Sequence, residues 1–320
     1  MTDSNLRHRV WVATDSEATT VGLVLAELGE PLCAAVADGR VFLNAARVVS
    51  ETQAVELGDR IEVYPPRSSS AGVQVLDERH GVVAALKPAG LPTEPDRHGR
   101  AASLVYQLAE QLRVAPTSLH ALSRLDVGVS GVVLVARTAE GRKAALAARE
   151  QDRLVRRYVG IAVRAPTPAS GSWKQDLAGR RRHSQRGQAA GSTASTRFSC
   201  VARVDAERAE LRVSGRDAQP ALLALEPRTG RKHQLRRHAS AANVPLLGDR
   251  AYGGPSRLVH RNGQVQQLGR IALHAARVSW LGGAGSWTVE AAVAPALEEL
   301  WVGLGGRHED MSLALARELP

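Results

Sequence analysis

Apolar and polar positions along this chain fall into blocks whose period changes from one segment to the next. Residues 21–29 (Val-Gly-Leu-Val-Leu-Ala-Glu-Leu-Gly) predict a short helix, with Gly29 and Pro31 as its stop. A second helical piece over 32–37 ends at the turn dipeptide Asp38-Gly39, and 40–44 and 47–49 then read as two short strands. Alternation at Ile61 and Val63 predicts one more strand after a turn at Gly58-Asp59. Residues 65–72 (Pro-Pro-Arg-Ser-Ser-Ser-Ala-Gly) hold nothing that can form a core and read as a linker.

Beyond the linker the runs lengthen. Strands are predicted at 73–76, 81–86, 132–136, 159–163, 221–227 and 286–292, and helices at 103–112, 231–242 and 294–304. Ser103 and Thr138 are candidate N-caps, the second for a helix reaching Gln151 despite the unfavourable Gly141. The domain plan is therefore 1–66, a linker 67–72, a main domain 73–305 and a tail 306–320.

Composition narrows the function classes. Within 320 residues, 42 Lys and Arg outweigh 32 Asp and Glu, and the net charge of +10 suits a polyanionic partner. Two isolated cysteines, without a Cys-x-x-Cys or His cluster, indicate neither a disulfide framework nor a zinc site, and a reducing cytoplasm is expected. Residues 1–15 lack a signal-peptide core, and no run approaches the roughly 20 apolar residues of a membrane span. No membrane association is expected.

The candidate chemistry centres on Ser-Arg-Leu-Asp-Val-Gly-Val-Ser-Gly at 123–131. If its start is extended, Arg124 and Asp126 share one face and can address one site, although for a lone Arg-Leu-Asp a solvated surface pair is the better reading. Arg156-Arg157-Tyr158 places a scarce aromatic ring and two cations at the mouth of a strand, as stacking on a base beside phosphates requires. The basic run 179–187 suits a phosphate backbone without specifying sequence.

Six segments in order, LKPAGLPT (86–93), RLDVGVSGVVLVA (124–136), RRY (156–158), EPRTGRKHQLRRH (226–238), PLLGDRAYG (245–253) and LHA (273–275), resemble the RluA-type pseudouridine synthases. The similarity covers about 73–302. It implies an α+β catalytic domain on a mixed, largely antiparallel sheet, and isomerisation of uridine to pseudouridine in ribosomal or transfer RNA. The order at 21–64 resembles a small S4-like α/β domain, although its second helix lacks the cations that family uses on RNA.

Carried over by motif, the resemblance implies Asp126 as the catalytic carboxylate and Arg236 as the cation that pairs with it and orients it. It implies Tyr158 as the active-site tyrosine that stacks on the base and helps remove the C5 proton, and Arg124 as the residue filling the gap left by the extruded base. Substrate contacts follow at Arg157, Arg231, His233 and Leu235. No cofactor and no metal are implied, RNA is the expected partner, no obligate protein partner is evident, and a monomer is expected. Ser123 and Val129 stand where the family usually carries His and Thr, positions that bear on base flipping and on bracing the loop. A non-catalytic RNA-binding or ribosome-assembly factor of the same fold is the alternative. A base-flipping hydrolase would need a positioned water and a free base, which an Asp paired with Arg236 serves poorly.

Overall fold

The computed structural model describes residues 9–13, 19–27, 35–36, 41–44, 46–63, 73–95, 103–177, 193–204, 211–213, 216–217, 219–260, 263, 265–282 and 285–320. The basic run 179–187, the linker and most of the second predicted helix lie outside these residues.

The first segment holds β1 (Arg9–Val12), β2 (Thr19–Thr20), α1 (Val21–Glu27), β3 (Val41–Leu43), β4 (Ala46–Arg47), β5 (Ala54–Val55) and β6 (Arg60–Val63). Its sheet runs β1-β6-β3-β4, all antiparallel, and β2 pairs with β5. Ile61 and Val63 alternate inward against Val21, Val24 and Leu25 of α1, as the period-2 and helical patterns require. Asn44 makes the β3–β4 turn at φ 48°, a left-handed conformation that asparagine tolerates.

The main sheet is built from β7 (Gln74–Arg79), β8 (Val82–Lys87), β9 (His120–Ala121), β10 (Ser130–Ala136), β11 (Leu154–Ala162), β12 (Ser170–Gln175), β13 (Ala194–Arg203), β16 (Ala221–Pro227), β19 (Leu273–Trp280) and β20 (Trp287–Glu290). A smaller sheet joins β14 (Leu211–Val213), β15 (Arg216–Asp217), β17 (Arg257–His260) and β18 (Val265–Gln267). The helices are α2 (Leu104–Leu112), α3 (Ala139–Glu150), α4 (Gln234–Ala241), α5 (Pro295–Gly303) and α6 (His308–Ala316).

The order β12-β13-β16-β11-β19-β10-β8-β7 is antiparallel except at β10–β19, with β9 on β10 and β20 on β19. Every residue of β10 and β16 is buried, which explains their unbroken apolar runs: both faces of these central strands are covered. Leu104 and Leu108 of α2 pack on one face with Val133, Val135 and Leu225, while Trp301 of α5 and Met311 of α6 pack on the other with Ile161 and Leu222.

Two departures from expectation have clear causes. Gly141, a weak helix former, lies where a Cβ would come within 2.7 Å of the carbonyls of His80 and Gly81, so the close approach of α3 to the β7–β8 turn demands glycine. Residues 306–320, expected as a tail, instead carry α6, whose Met311 and Ala314 are buried. The four-residue gap after α5 hid it. Trp301 Nε1 donates to Asp310 Oδ2 at 2.9 Å and ties the two helices together.

The parallel pairing is short, Ser130 with His274 and Gly131 with Ala275. The loop 122–129 enters the sheet at that point, and the cavity described next opens beside it.

Candidate active site

The loop that carries Asp126 is fixed by its neighbours rather than by its own secondary structure. Thr93 Oγ1 donates to the Leu125 carbonyl at 2.9 Å and accepts from the Leu125 amide at 3.0 Å. Lys87 Nζ, fully buried, donates to the carbonyls of Leu91 (2.6 Å), Pro88 (2.9 Å) and Val127 (3.5 Å). Leu125 and Val129 are buried in the main core, so Asp126 between them is turned outward, its side chain 27% exposed. Val129 thus supplies apolar anchorage at a place usually held by threonine.

Burial first, then the positive charge of Arg270, pushes the Lys87 ammonium down to about 7, while Asp126 pulls it the other way. Arg270 itself is brought down to about 10 by burial and donates to Ser130 Oγ at 2.7 Å.

Asp126 lies in a cavity of about 870 Å³ also lined by Tyr158, Arg156, Arg231, His233 and Arg236. Arg236, on α4, donates from Nη1 to Asp126 Oδ2 at 2.7 Å, and from Nε and Nη2 to the two oxygens of Asp249 at 2.8 and 2.7 Å. Asp249 is 1% exposed, so the guanidinium is locked against a buried carboxylate on one side and presents a fixed donor to Asp126 on the other. Burial opposes the Arg236 charge, but the hydrogen bonds it donates to Asp249 and Asp126 outweigh it and hold the guanidinium above its ordinary range. Its Cζ also lies 4.8 Å from the centroid of the Tyr252 ring.

The expected residues do not all converge. Tyr158 is buried at the cavity wall. Leu235 is buried in the core at the same wall, and Arg231 lines the mouth. Arg124 is exposed, its Nη1 3.3 Å from Glu94 Oε2. Arg157 does not reach the cavity. It faces the far side of β11, where Nη2 lies 3.3 Å from Glu226 Oε2 and Nη1 donates to the Arg317 carbonyl. Alternation along the strand sends Arg156 and Tyr158 to one face and Arg157 to the other, so of the two arginines Arg156 lines the cavity.

The helix expected from 231 starts only at Gln234, because His233 adopts a left-handed conformation, φ 55° and ψ 27°. The turn before it is held by the buried Gln234 amide. Its Oε1 accepts from Arg231 N at 3.0 Å and from Thr229 Oγ1 at 2.7 Å, and its Nε2 donates to the Ser195 carbonyl at 2.9 Å. His233 is thereby aimed into the cavity, with Nε2 3.5 Å from Asp126 Oδ1 and Nδ1 2.8 Å from the Tyr252 hydroxyl.

Lys87 and Thr93 lie in the motif 86–93, and Asp249 and Tyr252 in 245–253, where the pattern alone gives no sign of the contacts they make. Arg156, Gln234 and Asp249 matter here because of what the fold brings against them.

Residues 81–241 match the model of the family described as RNA pseudouridylate synthase. Among curated proteins, the chain is 29% identical over 235 residues to an uncharacterized RNA pseudouridine synthase of Bacillus subtilis, covering 70% of this chain and 71% of that one. It is 30% identical over 244 residues to a mitochondrial pseudouridylate synthase of Xenopus tropicalis (69% and 70%), and 28% identical over 265 residues to ribosomal large subunit pseudouridine synthase D of Xylella fastidiosa (77% and 72%). Among solved structures, human RNA pseudouridylate synthase domain containing 4 superposes with a TM-score of 0.50 at 21% identity, over 77% of this chain and 94% of that one, a likeness of fold.

Proposed function

The chain belongs to the RNA pseudouridylate synthase family, and from that premise we propose a substrate, a set of site roles and a division of the chain. The enzyme is an isomerase that converts uridine to pseudouridine in RNA. The substrate uridine lies in ribosomal or transfer RNA, a reading supported by the names of the relatives, which include a ribosomal large subunit synthase and a tRNA synthase.

Asp126 is the nucleophile. The observation that carries this role is the 2.7 Å bond from Arg236, itself clamped by Asp249, which fixes one carboxylate oxygen and leaves the other toward the cavity. Breaking the C1′–N1 bond, turning the uracil and joining C1′ to C5 require the base to leave its stack and stay enclosed. Tyr158 forms the wall on which the uracil rests, Arg124 at the exposed rim fills the gap in the RNA, and Arg156 and Arg231 meet phosphates. The chain divides into an S4-like unit over 1–66, a linker at 67–72 and a catalytic unit from 73 that includes α6.

The test is a map of pseudouridine across ribosomal and transfer RNA from cells with the wild-type protein, without it, and with Asp126→Asn. A site present only with wild type is expected. If every site persists in all three strains, the proposed RNA classes are wrong.

A further inference from the structure

We infer that the groove between α3 and β9 is a second RNA subsite, holding a nucleotide that flanks the target uridine, with the backbone phosphates on Arg142 and Lys143 and the base on Leu146 and Ala147. The inference rests on the RNA substrate proposed above and says where the strand runs once it leaves the Asp126 cavity.

Helix α3 has two faces, and folding uses one of them. Gly141, Ala145 and Ala148, spaced by four and three residues, are buried, the first against the β7–β8 turn. At 100° per residue, Arg142, Lys143, Leu146, Ala147 and Glu150 fall on the opposite face. Together with His120 of β9 they line a groove of about 590 Å³. Leu146 is half-buried there and belongs to none of the apolar cores among the described residues, so its apolar surface is left to the groove.

Charge and position say what the groove takes. Among the described residues, Arg142 and Lys143 make no ion pair and no side-chain hydrogen bond, so both cations are available to an anion. Two turns on, about 10–12 Å along the axis, Glu150 borders this groove and the Asp126 cavity at once. The two openings share a wall, and Arg149 stands on its cavity side. A carboxylate at the junction repels phosphate and accepts from base N–H groups, so the backbone keeps to the Arg142 end and the base turns toward the helix.

Extruding the uridine takes a stacking partner from its neighbours. An apolar floor beside the cavity covers one of them again, and the sequence-tolerant contact suits a nucleotide that is held rather than read. A protein fits the groove poorly. Two half-exposed aliphatic side chains between charges fall far short of the roughly 800 Å² per partner that a stable protein interface buries.

The test uses the full-length protein and total RNA from cells lacking it, labelled with 5-tritiated uridine, read by filter binding across a salt series and by single-turnover tritium release. The double variant Arg142→Ala with Lys143→Ala is expected to bind RNA about tenfold more weakly, with the magnitude of the salt slope reduced by about 1.4, as two single-strand phosphate contacts require. Tritium release should then need about tenfold more RNA for its half-maximal rate, while the maximal rate falls less than about threefold. Leu146→Ser is expected to weaken binding about fivefold with the salt slope unchanged, because it removes a base contact and no charge. Lys174→Ala with Arg257→Ala, two exposed cations that line neither opening, is the control and should move neither quantity. An Arg142 and Lys143 double variant with the affinity and slope of that control overturns the inference, as does undiminished binding by Leu146→Ser. Both are the results expected of a groove that serves a protein partner. Absence of tritium release by wild type is a different result, because it removes the isomerase reading while filter binding still decides the groove.

Discussion

Arg236 meets Asp126 through one guanidinium nitrogen only, Nη1 at 2.7 Å from Oδ2, because its other two nitrogens are committed to Asp249. The Asp126 carboxylate therefore inherits its position from a second, buried carboxylate it never touches.

Removing Arg236 should be felt in folding as well as activity. Arg236→Ala leaves Asp249, 1% exposed, without its partner, and is expected to lower unfolding free energy by about 3–5 kcal/mol. Asp126→Asn, at a partly exposed site, should keep stability within about 1 kcal/mol while reducing turnover at least about 1,000-fold. Urea denaturation and single-turnover assays of the two variants separate the effects.

The two adjacent arginines of β11 should behave oppositely. Arg156→Ala is expected to weaken RNA binding and reduce the magnitude of the salt slope of affinity by about one. Arg157→Ala should leave that slope unchanged and cost about 1–3 kcal/mol of stability, since it leaves Glu226 with only Arg197 at 3.0 Å and Arg228 at 3.4 Å. Filter binding across a salt series checks the first, thermal unfolding the second.

Gly131→Ala should be among the most damaging single methyl additions. Its φ is +126°, and a Cβ would lie 2.2 Å from the Ala275 carbonyl oxygen across the parallel pair. A loss of more than about 3 kcal/mol is expected, read by calorimetry.

Lys87 gives a pH signature. Its ammonium is lowered from 10.5 to about 7 in the folded protein, so between those values the unfolded chain binds more protons and stability rises with pH. The destabilising contribution is full below about 7 and gone above 10.5. Stability measured against Lys87→Met should shift in favour of wild type as pH is raised from 7 to 10, and a flat difference would contradict the assignment.

The family resemblance singled out Asp126, Tyr158 and Arg236, and the structure brings all three to one cavity. Burial pattern alone made β10 and β16 readable, since a strand covered on both faces carries an unbroken apolar run. What sequence could not show was facing. Arg-Arg-Tyr offers two cations, and only the strand's seating decides that Arg156 enters the cavity while Arg157 turns to Glu226. The start of α4 was misjudged by three residues because Arg-Lys-His-Gln has ordinary helical propensity, and the left-handed His233 is imposed by the Gln234 network. Asp249 stayed without a role because its partner lies 13 residues away through a turn that the spacing does not reveal.

The 110 residues between Asp126 and Arg236 also set an order of events during synthesis. At about 5–20 residues per second, the ribosome makes the carboxylate roughly 5–20 s before the cation that orients it. Asp249, 13 residues later still, closes the clamp. A nascent chain stalled short of α4 therefore carries the Asp126 loop without the grip on it.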